Sequence, residues 1–171
     1  MPKLQLSHQA LLLVKHTLTT TGEKEIDQKG NEVPSPLRLS GEEQSQRRHF
    51  FKAINEKLDK NAEASATEVK PIQEKLDEMV KVAKKENPIK EGETDYDVRI
   101  NNLVLSANKK ALDLIKERND ILEKANKTKL EFEINDKTFE VVKKWFKEYS
   151  EKNGWTVGDD ELVTEIEEVL K

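Results

Sequence analysis

The chain has no cysteine, which excludes disulfides and thiolate metal sites and bears only weakly on redox compartment. Aromatic residues are scarce at 5% and apolar residues make up 35%, while 37% are charged. That balance is low for a compact globule and usual for long, solvent-exposed helices. There is no long apolar run either. The stretch Leu11 to Val14 is far too short to cross a bilayer, and the first residues lack the basic region, apolar core and cleavage site of a signal peptide. Nor does one sign of charge prevail. The 34 acids and 30 bases give a net charge of −4, with the signs interspersed, so no global field points to DNA or to an anionic membrane. A soluble, cytoplasmic protein is expected, of 171 residues in one domain or a small domain with a long protruding element.

Chemical motifs are missing as well. No glycine-rich phosphate loop, nucleophile elbow or dinucleotide fingerprint occurs. His8, His16 and His49 are the three histidines, and no two stand at the i, i+4 spacing of a helical metal site. The acidic cluster Glu91, Glu93, Asp95 and Asp97 lacks the glycine and terminal glutamate of a calcium loop and reads as a solvated linker. We therefore expect no enzyme activity, no cofactor, no metal and no small-molecule substrate.

What the sequence does contain is helical periodicity. "KLQL", residues 3 to 6, alternates polar and apolar as a strand does. Ser7 fits the N-cap of a helix from about His8 to Thr19, with Leu11, Val14 and Leu18 on one side. The segment after it is loop-like, and "QKGN" suits the turn of a short hairpin. Ser40-Gly-Glu-Glu43 is a capping box, in which serine and glutamate satisfy each other's backbone N–H. From there to about Glu86 a seam of Phe50, Ile54, Leu58, Ala62, Ser65, Val69, Ile72, Leu76, Met79 and Ala83 steps by three and four, as one helix face does. Pro71 is expected to kink or split that helix near Val69.

A second long helix is expected from about Asp97 to Lys127, striped by Ile100, Val104, Ala107, Ala111, Ile115, Arg118, Leu122 and Ala125 and widened by Leu105, Leu112 and Leu114. Two such helices read as an antiparallel hairpin, with Ala62, Ala66, Ala107 and Ala111 allowing close approach. "KLEFEIN", residues 129 to 135, is the clearest strand. Asn135 or Asp136 caps the next helix, which turns Phe139, Val142, Trp145, Phe146 and Tyr149 inward, and Gly154 ends it. A last short helix starts at Asp159 or Asp160. "LQLSHQALLLVKHTL" aligns without gaps to "FEINDKTFEVVKKWF", Leu4 on Phe132 and Leu18 on Phe146, so both read as strand, cap, helix. The two strands are each other's best partners, because a lone strand leaves its backbone groups unpaired.

The expected fold is thus mostly α, in the α+β class. A small base of two short strands and flanking helices (residues 1–39 with 128–171) carries a projecting helical hairpin inserted at 40–127. The one passage inviting a functional reading is "LRLSGEEQSQRRHFFKAINEKL", residues 37–58. Arg47, Arg48, Phe51 and Lys52 are its candidate interaction residues, set where cations gain nothing from the helix dipole. One reading makes them a basic, aromatic-flanked patch for phosphate or an acidic partner. The other, favoured one sends Phe50 and Phe51 into the core and pairs the arginines with Glu43 or other acids of the base.

This passage resembles a family of short phage-encoded proteins of unknown function, in which an "RxRxxFxK"-like stretch starts a long helix. Arg47, Arg48, Phe50 or Phe51, and Lys52 occupy those positions, and the hairpin here is longer. The resemblance implies a phage setting, in the host cytoplasm or on the virion, without implying an activity. The expected function is that of a non-enzymatic accessory, structural or assembly protein acting through helical protein–protein contacts or self-association. The alternative is a nucleic-acid-binding accessory protein.

Overall fold

In a computed structural model, described at residues 3–27, 29–90 and 93–171, the chain is mostly α with a small β part. It divides into two compact units: Met1–Lys60 with Asn126–Lys171, and Asn61–Ala125.

Unit 1 is organised around two strands from opposite ends of the chain. Strand β1 (Lys3–Ser7) leads into helix α1 (His8–Thr17), and strand β4 (Lys129–Glu133) leads into helix α5 (Asp136–Asn153). The caps are equivalent: Ser7 Oγ accepts from Ala10 N and Asn135 Oδ1 accepts from Thr138 N, each satisfying an N–H with no helical partner. β1 and β4 pair antiparallel, with Leu4 opposite Phe132, Lys3 opposite Glu133 and Gln5 opposite Glu131. Under the alignment of the two strand–helix segments, Leu4–Phe132 maps onto itself and Lys3–Glu133 maps onto Gln5–Glu131. The register therefore obeys an approximate twofold between the two segments.

Four aligned pairs are also buried alike: Leu6 with Ile134, Ala10 with Thr138, Val14 with Val142, and Leu18 with Phe146. All of these but Thr138 form one core with Leu11, Phe50, Ile54, Leu58, Phe132, Ile166 and Leu170. Phe50 meets Phe132 edge to face at 5.9 Å, a favoured aromatic geometry. Helix α5 ends at Gly154, whose φ of 66° suits glycine. A one-turn 3-10 helix at Val157–Asp159 carries its own Thr156–Asp159 capping box and leads to the last helix, α6 (Asp160–Val169).

Strands β2 (Thr20–Ile26) and β3 (Glu32–Pro36) form the hairpin. Asp27 Oδ1 accepts from the N–H groups of Lys29 and Asn31 at its turn; Gln28 of the expected turn lies outside the described residues. At Gly22, where φ is +83°, a Cβ would run into the Asn153 side chain, which donates to Thr21 O and Tyr149 O. That glycine lets the hairpin approach α5.

The long helix α2 (Gly41–Glu86) begins in unit 1 and continues into unit 2. Its capping box forms as expected: Ser40 N donates to Glu43 Oε2 at 3.0 Å, and Glu43 N to Ser40 Oγ at 3.3 Å. Pro71 lies inside it without splitting it. The proline is exposed, so its ring packs against no core. The boundary at Lys60, rather than residue 39, follows from packing, because Phe50, Ile54 and Leu58 complete the core of unit 1.

Unit 2 pairs the rest of α2 with α3 (Tyr96–Ala107) and α4 (Lys109–Lys127). The expected hairpin is there and is antiparallel: Asn61 Nδ2 donates to Ala125 O, Arg118 to Gln73 Oε1, and Tyr96 OH to Lys84 O. The expected single second helix is two. Asn108, with φ −138° and ψ 95°, leaves helical geometry, and its side chain accepts from Lys110 N, starting α4 afresh. A side chain able to bond its own downstream backbone competes with helix continuation. The close approach expected at four alanines does not hold at two of them. Ala62 and Ala66 are exposed and Ala111 is fully buried; the side chain of Ala107 lies outside the described residues. The buried cluster is Ile72, Leu76, Val104, Ala111 and Leu114, and Leu122 of the expected stripe is 41% exposed.

Candidate functional site

The four candidate residues lie on the first turns of α2, and the structure separates their roles. Phe51 is half-buried against the core of unit 1. Arg47 donates to the Leu18 carbonyl at 3.3 Å, one of the acceptors left over at the end of α1, and its guanidinium lies 5.9 Å from the Phe51 ring centroid. Lys15, from α1, stands 5.4 Å from the same centroid and donates to Asn55 Oδ1 at 2.8 Å. Two cations thus converge on one aromatic ring. Arg48 and Lys52 are exposed. Lys15 and Asn55 belong to this group; Lys15, on α1, escapes a reading of α2 alone, and the Asn55 contact is visible only with it. Their signal is that α1 is free of acids, whereas its cations sit beside a Phe-bearing helix only after folding.

The expected pairing of the arginines with Glu43 does not occur. Glu43 Oε1 accepts from Lys144 at 2.8 Å and from Trp145 Nε1 at 3.1 Å, while its other oxygen takes the Ser40 N–H. The hydrogen bond from Lys144, then that from the Ser40 backbone, holds the Glu43 carboxyl down to about 2. Three donors from the helix start and from α5 thus hold Glu43, and neither Arg47 nor Arg48 is among them.

A second carboxylate cluster in unit 1 is likewise structural in geometry. Glu165 accepts from the Ser7 backbone N–H and hydroxyl and from Lys129. Burial raises its pKa, and the Lys129 and Ser7 hydrogen bonds outweigh that and lower it. Among the histidines, His16 meets Tyr149 OH at 3.3 Å, His8 has its pKa lowered by burial, and His49 is exposed. Of the acidic linker, Glu93 is bound by Arg99 Nε and Nη2 and held down to about 2, chiefly by that hydrogen bond, and Asp97 pairs with Lys84 at 2.7 Å. Glu91 lies outside the described residues. No group of three or more potential metal ligands occurs among the described residues.

Unit 2 offers a different surface. An open groove of about 520 Å³ between α2 and α3 is lined by Met79, Val82, Ala83, Leu103, Val104 and Asn108 among others. Val82 is 46% exposed, Ile89 63%, Val98 60% and Leu112 52%. No helix among the described residues is long and apolar enough to cross a membrane. Compared with known proteins, the chain matches no family model, no curated protein and no solved structure.

Proposed function

We propose that this protein is a non-catalytic accessory or assembly protein that works through helical protein–protein contacts, with a second copy of the chain seated on unit 2. The observation that carries the reading is the apolar surface of that unit. Five large apolar side chains (Val82, Ile89, Val98, Leu112 and Leu122) stand exposed, against a buried cluster of five residues. Burying such a side chain completely from water contributes roughly 1.5–3 kcal/mol; these are about half exposed, so covering each contributes about half of that, which favours association. A second copy suits it on charge. Residues 61–125 carry 14 acids and 12 bases, interspersed, so two copies of this unit meet without strong repulsion. The phage setting implied by the resemblance at residues 37–58 fits an assembly role, with the host cytoplasm as its place.

Sedimentation equilibrium over a wide concentration range tests this. The average mass should rise with concentration above the monomer value, and Val82→Asp with Leu112→Asp should return it to monomer while leaving the helical spectrum intact. A monomer mass independent of concentration would overturn the reading.

A further inference from the structure

We propose that the α1–α2 face of unit 1 is a docking strip for an acidic helical segment of another protein, an inference independent of what covers unit 2. It starts from two runs of sequence. Although acids outnumber bases in the chain, residues 3–22 contain no Asp or Glu, and neither do residues 44–55. The fold lays these runs side by side: Lys15 reaches Asn55, and Lys15 and Arg47 both lie over Phe51. Arg48 and Lys52 stand four residues apart on the same helix, so they are surface neighbours. Among the described residues none of Lys15, Arg47, Arg48 and Lys52 forms an ion pair, whereas the nearest acids along α2 are already engaged, Glu43 by Lys144 and Glu56 by Lys60. The strip is positive because its neighbours are neutralised elsewhere.

Its dimensions select the partner. From Arg47 to Lys52 the strip runs about 7.5 Å along the helix at 1.5 Å per residue, little more than one turn. Carboxylates at i and i+4 of a helix repeat on that scale. Duplex DNA, with one charge per about 1.7 Å, rewards a longer basic track, and a chain of net charge −4 repels a long polyanion. The Phe51 ring is half-buried and already has Lys15 and Arg47 within 6 Å of its centroid, so a base stacking there would compete with them. Leu12, one turn before Lys15 and 45% exposed, supplies an apolar contact for the other stripe of an amphipathic helix.

The test is a titration of the isotopically labelled full chain with a helical, alanine-based peptide bearing glutamates at i, i+4 spacing and one leucine stripe, followed by amide NMR shifts. Saturable shifts are expected in Leu12–Thr19 and Gln44–Asn55. Raising the salt several-fold should weaken binding about tenfold, and the same peptide with glutamine for glutamate should not bind. Arg48→Ala with Lys52→Ala should lower affinity about fivefold or more. That pair is chosen because both side chains are exposed, whereas Arg47 also holds the end of α1; an unchanged spectrum away from the strip confirms that the fold persists. The proposal fails if no saturable shifts occur, if they fall elsewhere, or if the glutamine peptide binds equally. It also fails if a charge-matched DNA oligonucleotide binds the same residues more tightly, which would make the strip a nucleic-acid site.

Discussion

The two units stabilise helices by different means. In unit 1, fourteen buried residues from both strands and four helices form one cluster, and the chain ends close on each other through the β1–β4 ladder. In unit 2, a cluster of five buried residues and Ile100 serve three helical segments, and the one buried side-chain polar atom without a partner among the described residues, Arg118 Nε, is there. Helices draw most of their stability from packing of an apolar face rather than from intrinsic propensity. The comparison teaches that a long, regular helix is no measure of local stability: α2 is unbroken from Gly41 to Glu86, yet its first turns rest on a dense core and its last on a thin one.

The most forceful way to break this comparison is to thin each core in turn. Phe132→Ala, removing a ring that is 3% exposed and packed on Phe50, should cost about 3–5 kcal/mol. Leu76→Ala, at 7% exposure in unit 2, should cost about 2 kcal/mol, the low end for such changes. Both tryptophans, Trp145 and Trp155, belong to unit 1, so their fluorescence reports that unit while far-ultraviolet circular dichroism reports both. In urea the dichroism should begin to fall before the fluorescence changes. Coincident curves would mean that the units unfold together and that the thin core is no liability.

A smaller effect sharpens the picture of unit 1. Gly22→Ala forces a Cβ into a positive-φ position and into Asn153, and should destabilise by about 1–2 kcal/mol. The same change at Gly30, with φ +81° but open space around it, should carry the backbone part alone and cost less. Equal losses in thermal melts would show that the hairpin does not depend on its seat against α5.

The smallest effect is electrostatic and falls in both units. Glu43 and Glu93 each have a folded pKa of about 2, below the ordinary 4.5. A depressed carboxyl contributes stability that is present above its unfolded pKa and is lost as pH falls toward the folded value. Melting temperatures should therefore decline between pH 4.5 and 2. Glu43→Gln should flatten the part of that decline seen by tryptophan fluorescence. An unaltered profile would remove the Lys144–Glu43–Trp145 cluster from the account of how α2 is held.

Much of this arrangement can be read from residues alone, because the signals are local. The caps at Ser7, Ser40 and Asn135 and the stop at Gly154 act within one turn, and the three-and-four spacing of Phe50, Ile54, Leu58, Ile72 and Leu76 records the burial of one helix face. Even the β1–β4 pairing follows from two strands that each need a partner. Asn108 is where the local signal misleads, since an apolar stripe passes through it while its side chain favours a new helix start.

What the sequence by itself determined is the helical pattern, its start and stop points, and the acid-free runs in which Arg47, Arg48 and Lys52 lie. Which partner each charge takes was decided only by tertiary structure. Glu43 is as near in sequence to Arg47 as a helix pair requires, yet it binds Lys144 and Trp145, because packing α5 beside the start of α2 offers it an ammonium and an indole N–H together with the capping N–H of Ser40. Lys15 reaches Phe51 and Asn55 for the same reason: ion pairs and ring contacts depend on distances of a few ångströms, and residues far apart in the chain acquire such distances only when the core closes.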